Sequence, residues 1–166
     1  GSGLYNYGSN VYISAIPNYG YHFTQWSDGN TQNPRHVSVS GDTAFTALFE
    51  INNYTLTVLN GDTTMGSVSN SGTYNYLTQV TISATPVYGY HFVQWTDGNA
   101  DNPRTVTLTQ DTVFTAQFAI NTYFVNLTVN DSTLGTVSGT GEYAYQTQVV
   151  ISATANENCH FVQWSD

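Results

Sequence analysis

Lysine is absent from this chain of 166 residues, and its only cations are Arg35 and Arg104, set against 11 acidic residues for a formal charge of −9. Such a balance offers no basic footprint for nucleic acid or anionic lipid. It also excludes a lysine Schiff base, a phosphate-cradling lysine and a Lys–Asn isopeptide crosslink. Cys159 is the single cysteine, so no intrachain disulfide can form. No apolar run approaches the ~20 residues of a membrane helix, and no leader segment opens the sequence, which fits a piece of something longer. Charged residues reach only 8%, against about 25% in ordinary soluble domains, so the polar surface must come from Thr, Ser, Asn, Gln and Tyr.

Hydrophobic residues at 40% and aromatics at 14% are enough to build a core, unlike the aromatic-poor composition of disordered chains. Self-similarity then organises the chain. Trp26, Trp95 and Trp164 stand 69 residues apart. Tyr21 to Trp26 recurs as Tyr90 to Trp95 and, with Cys159 in the tyrosine position, as Cys159 to Trp164. Val11, Ile13 and Ala15 recur as Val80, Ile82 and Ala84 and as Val149, Ile151 and Ala153; Asn33-Pro34-Arg35 recurs as Asn102-Pro103-Arg104. Periods of this size mark tandem repeats, each one supersecondary unit. The expected division is a partial repeat over 1–50, a complete repeat over 51–119 and a partial repeat over 120–166. Leu56-Thr57-Val58 resembles Leu127-Thr128-Val129, which reads as a two-residue slip in the third repeat, offset by a shorter loop.

Within the complete repeat, apolar residues alternate with period two, the mark of half-buried strands. Tyr54, Leu56 and Val58 form one run, and Tyr74 through Ala84 a second. Val106 and Leu108 form a third, and Phe114, Ala116 and Phe118 a fourth. Turn signals at Asn60-Gly61-Asp62, Tyr88-Gly89, Asp97-Gly98-Asn99 and Gln110-Asp111 separate the runs. The fold expected is all-β, with little or no helix and six or seven short antiparallel strands per repeat in a β-sandwich or β-grasp-like arrangement. The connectors, Glu50 to Asn53 and Ala119 to Thr122, lack Gly and Pro and carry an Ile, so neighbouring repeats should abut.

A Val-x-Ile-x-Ala strand (Val80 to Ala84), a Pro-x-Tyr-Gly-Tyr-x-Phe-x-x-Trp segment (Pro86 to Trp95) and Asp111 to Phe118 together resemble the divergent internalin-B-type B-repeat, related to the Listeria–Bacteroides repeat. The pattern recurs at Val11 to Trp26 with Asp42 to Phe49, and in part at Val149 to Trp164. This resemblance implies secreted or surface-anchored bacterial proteins in which the repeats act as stalks and spacers, sometimes in adhesion. It also implies a β-grasp-like fold with a short helix, from which this chain departs, because Thr73 to Ala84 reads as continuous strand.

His22, His91 and His160 each precede an Asp by six residues, at Asp28, Asp97 and Asp166, with Ser27, Thr96 and Ser165 alongside. A triad needs nucleophile and base within hydrogen-bond reach, which neighbouring strand-end residues do not supply, so no catalytic residue is assigned. Asp97, Asn99 and Asp101 place oxygens at positions one, three and five of a calcium-type loop. Asn102 and Leu108 break the rest of that pattern, which leaves a weak metal candidate that an Asp-Gly turn explains as well. The expected core is Ile13, Phe23, Trp26, Phe45, Phe49, Ile82, Phe92, Trp95, Phe114, Phe118, Ile151, Phe161 and Trp164, since buried aromatics dominate small-domain energetics. Tyr5, Tyr7, Tyr19 and Tyr88 are the better surface candidates for stacking on sugars. Arg35 and Arg104 should pair with carboxylates such as Asp42 or Asp111.

No cofactor is implied. The expected partners are neighbouring repeats of the same chain, with self-association, a glycan or a host protein as further options, and without nucleic acid or membrane insertion. The function expected is a non-enzymatic structural stalk at a bacterial surface or outside the cell. The alternatives are a filament subunit joined through strand edges, and a binding module that uses exposed tyrosines.

Overall fold

The computed structural model describes residues 2–165. Fifteen strands follow in chain order, and no helix occurs among the described residues. The first repeat contributes β1 (Asn10–Ile13), β2 (Tyr21–Trp26), β3 (Arg35–Ser38) and β4 (Ala47–Ile51). The complete repeat contributes β5 (Asn53–Asn60), β6 (Gly66–Ser69), β7 (Gly72–Asn75), β8 (Gln79–Pro86), β9 (Tyr90–Trp95), β10 (Arg104–Thr107) and β11 (Thr112–Ile120). The third contributes β12 (Thr122–Val125), β13 (Gly135–Ser138), β14 (Gly141–Ala144) and β15 (Ser152–Ala155). The seven strands of the complete repeat make a three-stranded sheet, β10-β8-β6, and a four-stranded sheet, β7-β5-β11-β9.

Strand register tests the two-residue slip and removes it. Tyr54 pairs with Tyr74 on β5–β7, and Tyr123 with Tyr143 on β12–β14, both 69 residues on. Val58 N donates to Ser71 Oγ at 2.8 Å, and Leu127 N to Thr140 Oγ1 at 3.1 Å, again 69 apart. The third repeat therefore keeps the 69-residue period, and Val58 corresponds to Leu127. The slip arose because a shift of two residues leaves every side chain on the same face, so alternation alone cannot detect it.

Thr73 to Ala84 is also not continuous. After β7 the chain turns, Leu77 takes a φ of 64°, and β8 enters the other sheet. Leu77 N donates to Leu108 O at 2.7 Å, and Leu108 N returns a bond to Thr78 O at 3.0 Å. A left-handed leucine costs roughly 1–2 kcal/mol, which these two bonds offset. The same turn appears at Gly8 (φ 78°) and Gln146 (φ 63°). Sequence propensity gave no sign of a break at a leucine.

Packing divides the chain into two compact units that do not follow the repeats. One comprises the chain up to Val58 with Asn70–Ile82 and Pro103–Phe114; the other comprises Leu59–Ser69, Ser83–Asn102 and the chain from Thr115. In the first unit, Val11, Trp26, Leu56, Val58, Val80, Ile82, Val106, Leu108 and Phe114 are buried. In the second, Ala84, Trp95 and Ala116 are buried. Ile13, Phe23, Phe45, Phe92, Phe118 and Trp164 are half-buried.

Phe49, Ile151 and Phe161, expected in the core, stand exposed. Their counterparts in the complete repeat show why. The Phe118 ring lies over Gly66 of β6, where a Cβ would come within 2.5 Å of it. Phe49 sits on β4, whose only partner among the described residues is β2. Ile82 is fully buried on β8, between β10 and β6, whereas Ile151 precedes β15, which pairs with β13 alone. Phe161 lies outside any assigned strand, while Phe92 is on β9 beside β11.

Candidate functional site: a tyrosine joint between repeats

Each compact unit contains one joint between consecutive repeats, and the two joints are built alike. At the first, Tyr19-Gly20-Tyr21 forms a tight turn before β2, closed by Tyr21 N donating to Asn18 O at 3.1 Å. Gly20 has φ +84°, a conformation that glycine adopts without steric cost. The connector residue Asn52 ties both sides together. Its N–H donates to Gly20 O at 2.8 Å, and its carbonyl accepts from Tyr76 N at 2.8 Å. Its side-chain Oδ1 bonds His22 Nδ1 at 2.8 Å. An amide oxygen only accepts, so that ring nitrogen carries the proton.

The ring of Tyr76 fills the space that a side chain on Gly20 would take; a Cβ there would lie 2.0 Å from Tyr76 Cδ1 and 2.5 Å from Cγ. Tyr19, Tyr21 and Tyr54 surround that ring with centroids at 5.5, 6.4 and 6.3 Å, all edge-on, which is the favoured quadrupolar arrangement. The second joint repeats this geometry. Asn121 N donates to Gly89 O and Tyr145 N to Asn121 O, both at 2.8 Å, and Asn121 Oδ1 bonds His91 Nδ1 at 2.7 Å. Gly89 has φ +90°, and its Cβ would meet Tyr145 Cδ1 at 2.1 Å, with Tyr88 and Tyr90 edge-on to that ring.

The other residues singled out from the sequence take structural positions. Trp26 and Trp95 are buried, and their indole N–H groups donate to Gln32 O and Asp101 O, each at 2.9 Å. Phe23 and Phe92 tilt against them at 5.4 and 5.2 Å, as Phe161 does against Trp164 at 5.2 Å. The Asn-Pro motif has a clear role: Asn102 Oδ1 accepts from Ala84 N at 2.9 Å while its Nδ2 donates to Ala84 O at 2.6 Å. Asn33 does the same for Ala15. The amide thus mimics a neighbouring strand at the point where the ladder ends.

Arg35 is buried and pairs with Asp28 at 2.8 Å, not with Asp42, while its guanidinium lies over Phe45 at 4.7 Å and Trp26 at 5.5 Å. Asp28 is nearer because the turn after β2 folds back beside β3. The hydrogen bond from Arg35 holds the Asp28 carboxyl below its ordinary range. Asp111 instead accepts from Thr55 N at 2.7 Å, and Arg104 lies over Phe114 at 4.5 Å.

Ser27 Oγ accepts from Thr46 N at 3.1 Å, and His22 is held by Asn52, so in the first repeat Ser27, His22 and Asp28 serve three different partners. Thr96 Oγ1 likewise accepts from Thr115 N. Asp166 lies outside the described residues. Asp97, Asn99 and Asp101 share one loop, where Asp97 Oδ1 accepts from Asn99 N at 3.3 Å and Asn99 Oδ1 from Asp101 N at 2.8 Å. Those oxygens close side-chain turns of the Asx kind. No group of three or more His, Cys, Asp or Glu fit to hold a metal occurs among the described residues. Tyr5, Tyr7, Tyr19 and Tyr88 are exposed, and Tyr19 and Tyr88 belong to the two joints.

Sequence reading identified the Tyr-Gly turn and expected abutting repeats, yet it did not connect Gly20 with Tyr76 or Gly89 with Tyr145. The signal was present as the joint recurrence of Tyr-Gly-Tyr, Asn52 or Asn121, and Tyr76 or Tyr145 at one period.

Searches of curated proteins and of solved structures return no match. The sequence model of the divergent InlB B-repeat domain matches three times, over residues 1–53, 54–122 and 125–166, and so covers nearly the whole chain. The chain belongs to the divergent InlB B-repeat domain family.

Proposed function

We propose that the chain is a length of stalk or spacer from a bacterial surface protein, working outside the cell and without catalysis. The observation that carries this reading is the recurrence of one joint at Asn52 and Asn121, with matching hydrogen bonds and a tyrosine ring over the turn glycine in each. A spacer must hold its successive units in fixed register, and a joint copied at the repeat period does this without any ligand. The scattered partners of Ser27, His22 and Asp28 fit a role that needs no reacting group. Family membership points the same way, through the surface proteins in which such repeats occur.

Small-angle X-ray scattering over a concentration series tests the reading. The particle mass should stay constant, and inserting one further 69-residue repeat should lengthen the largest dimension by a fixed step. A dimension that does not grow with the added repeat counts against a spacer. Mass that climbs with concentration would replace it with the filament reading, which the exposed Val150, Val162 and Ile16 favour as unpartnered apolar surface.

A further inference from the structure

The joint has two complementary parts, a tyrosine ring and a turn with no side chain where the ring lies. The third repeat carries the same turn with different residues. Cys159 N donates to Asn156 O at 3.0 Å, as Tyr21 N does to Asn18 O, and Asn158 at φ 61° stands where Gly20 and Gly89 stand. Glu157 and Cys159 replace the two flanking tyrosines. Asparagine tolerates the left-handed conformation, so the turn is kept. Its Cβ nonetheless occupies the point that lies 2.0 Å from the docked ring at Gly20. The atoms met there include Tyr76 Cγ, at the root of the ring, so no side-chain rotation short of leaving the turn relieves the overlap.

At the other end, Tyr7 occupies the position of Tyr76 and Tyr145. It is 87% exposed, and it is presented by the same turn, with Gly8 at φ 78° donating to Val39 O at 2.8 Å as Leu77 does to Leu108 O. We propose that the joint is selective. Tyr7 is a docking tyrosine whose partner is the Tyr-Gly-Tyr turn of a further repeat of this family, and Asn158 shuts the third turn against any such tyrosine. The glycine of the turn is the specificity-determining residue, because its missing Cβ is the space that the ring fills. This inference rests on the spacer reading and adds a rule for which repeat can follow which.

Tyrosine nitration by tetranitromethane, mapped by peptide mass, tests it on the full chain. Tyr7 should react at once, while the half-buried Tyr76 and Tyr145 react about tenfold more slowly, since packing on the turn covers most of each docked ring and full access needs local opening. An extended chain is then made in which a copy of residues 2–70 precedes Ser2, so that Asn70 leads into Ser2 as it leads into Ser71. Tyr7 should fall to the slow rate of Tyr76, and Gly20→Asn in the added copy should return it to the fast rate. A Tyr7 that stays fast in the extended chain, or stays slow behind the Gly20→Asn turn, overturns the proposal.

Slow Tyr145 in every variant shows that the chain has folded. Gly20→Asn in the unextended chain gives an independent reading, because it should free Tyr76 and leave Tyr145 slow; a Tyr76 that stays slow refutes the selectivity. Nitration reports one ring on one turn whatever the scattering shows, so the failure of this proposal and the failure of the spacer reading are distinguishable.

Discussion

Truncating the docked tyrosine measures how much the joint contributes to stability. Tyr76 is half-buried, with three edge-on tyrosines around it at 5.5 to 6.4 Å. Edge-on pairs contribute about 0.5–1.5 kcal/mol each beyond area, and the low end applies because Tyr19 and Tyr21 are themselves exposed. Three such pairs give roughly 1.5 kcal/mol, and half the burial of a large apolar side chain adds about 1 kcal/mol. Tyr76→Ala should therefore cost roughly 2–3 kcal/mol.

Tyr76→Phe should change stability by less than about 0.5 kcal/mol, because the hydroxyl has no hydrogen-bond partner among the described residues and the ring remains. Tyr145→Ala should cost about 0.5 kcal/mol less than Tyr76→Ala, since two edge-on rings, Tyr88 and Tyr90, face Tyr145 where three face Tyr76. Urea unfolding followed by far-ultraviolet circular dichroism reads all three variants. A Tyr76→Ala cost under about 0.5 kcal/mol would mean that the rings are bystanders and the backbone bonds of Asn52 alone hold the joint.

Four further outcomes follow from single contacts. Trp95→Phe keeps an aromatic ring but leaves a cavity where the rest of the fully buried indole stood and Asp101 O without its donor, so denaturant unfolding should show a loss of about 2–4 kcal/mol, against a smaller loss for the half-buried Trp164→Phe. Asn102→Ala should cost about 1–3 kcal/mol by leaving both Ala84 backbone groups unpaired, and Asn102→Asp should not rescue it, because a carboxylate cannot donate to Ala84 O. Ile82→Val should cost about 0.5–1.5 kcal/mol, while the exposed Ile151→Val should be near neutral by the same assay.

Asp28 has a depressed folded-state pKa, so its contribution is full above the ordinary carboxylate value and is lost as pH falls through the lowered folded value. The Tm gap between the native chain and Asp28→Asn should hold at neutral pH and close on acidification in thermal scans; a gap that widens instead would refute the Arg35 pairing as its cause.

All-β structure and the 69-residue period were legible in the sequence, because alternation of apolar residues follows directly from the two-fold pleat and repetition needs no coordinates. Alternation has a blind spot of two residues, and the supposed slip at Leu127 fell into it until the bonds of Val58 and Leu127 fixed the register. The break at Leu77 was hidden for a different reason: the turn at the left-handed leucine is fixed by two bonds with Leu108, which is distant in sequence, one from Leu77 N to Leu108 O and one from Leu108 N to Thr78 O. Arg35 chose Asp28 over Asp42 because turn geometry, not sequence separation, decides which carboxylate is near.

Composition and period by themselves determined what kind of chain this is, since they record which side chains exist and how often they recur. Only the tertiary structure decided where one repeat grips the next. A glycine's contribution there is an absence of atoms, and an absence acquires meaning only when Tyr76 or Tyr145 arrives from 56 residues further along to fill it.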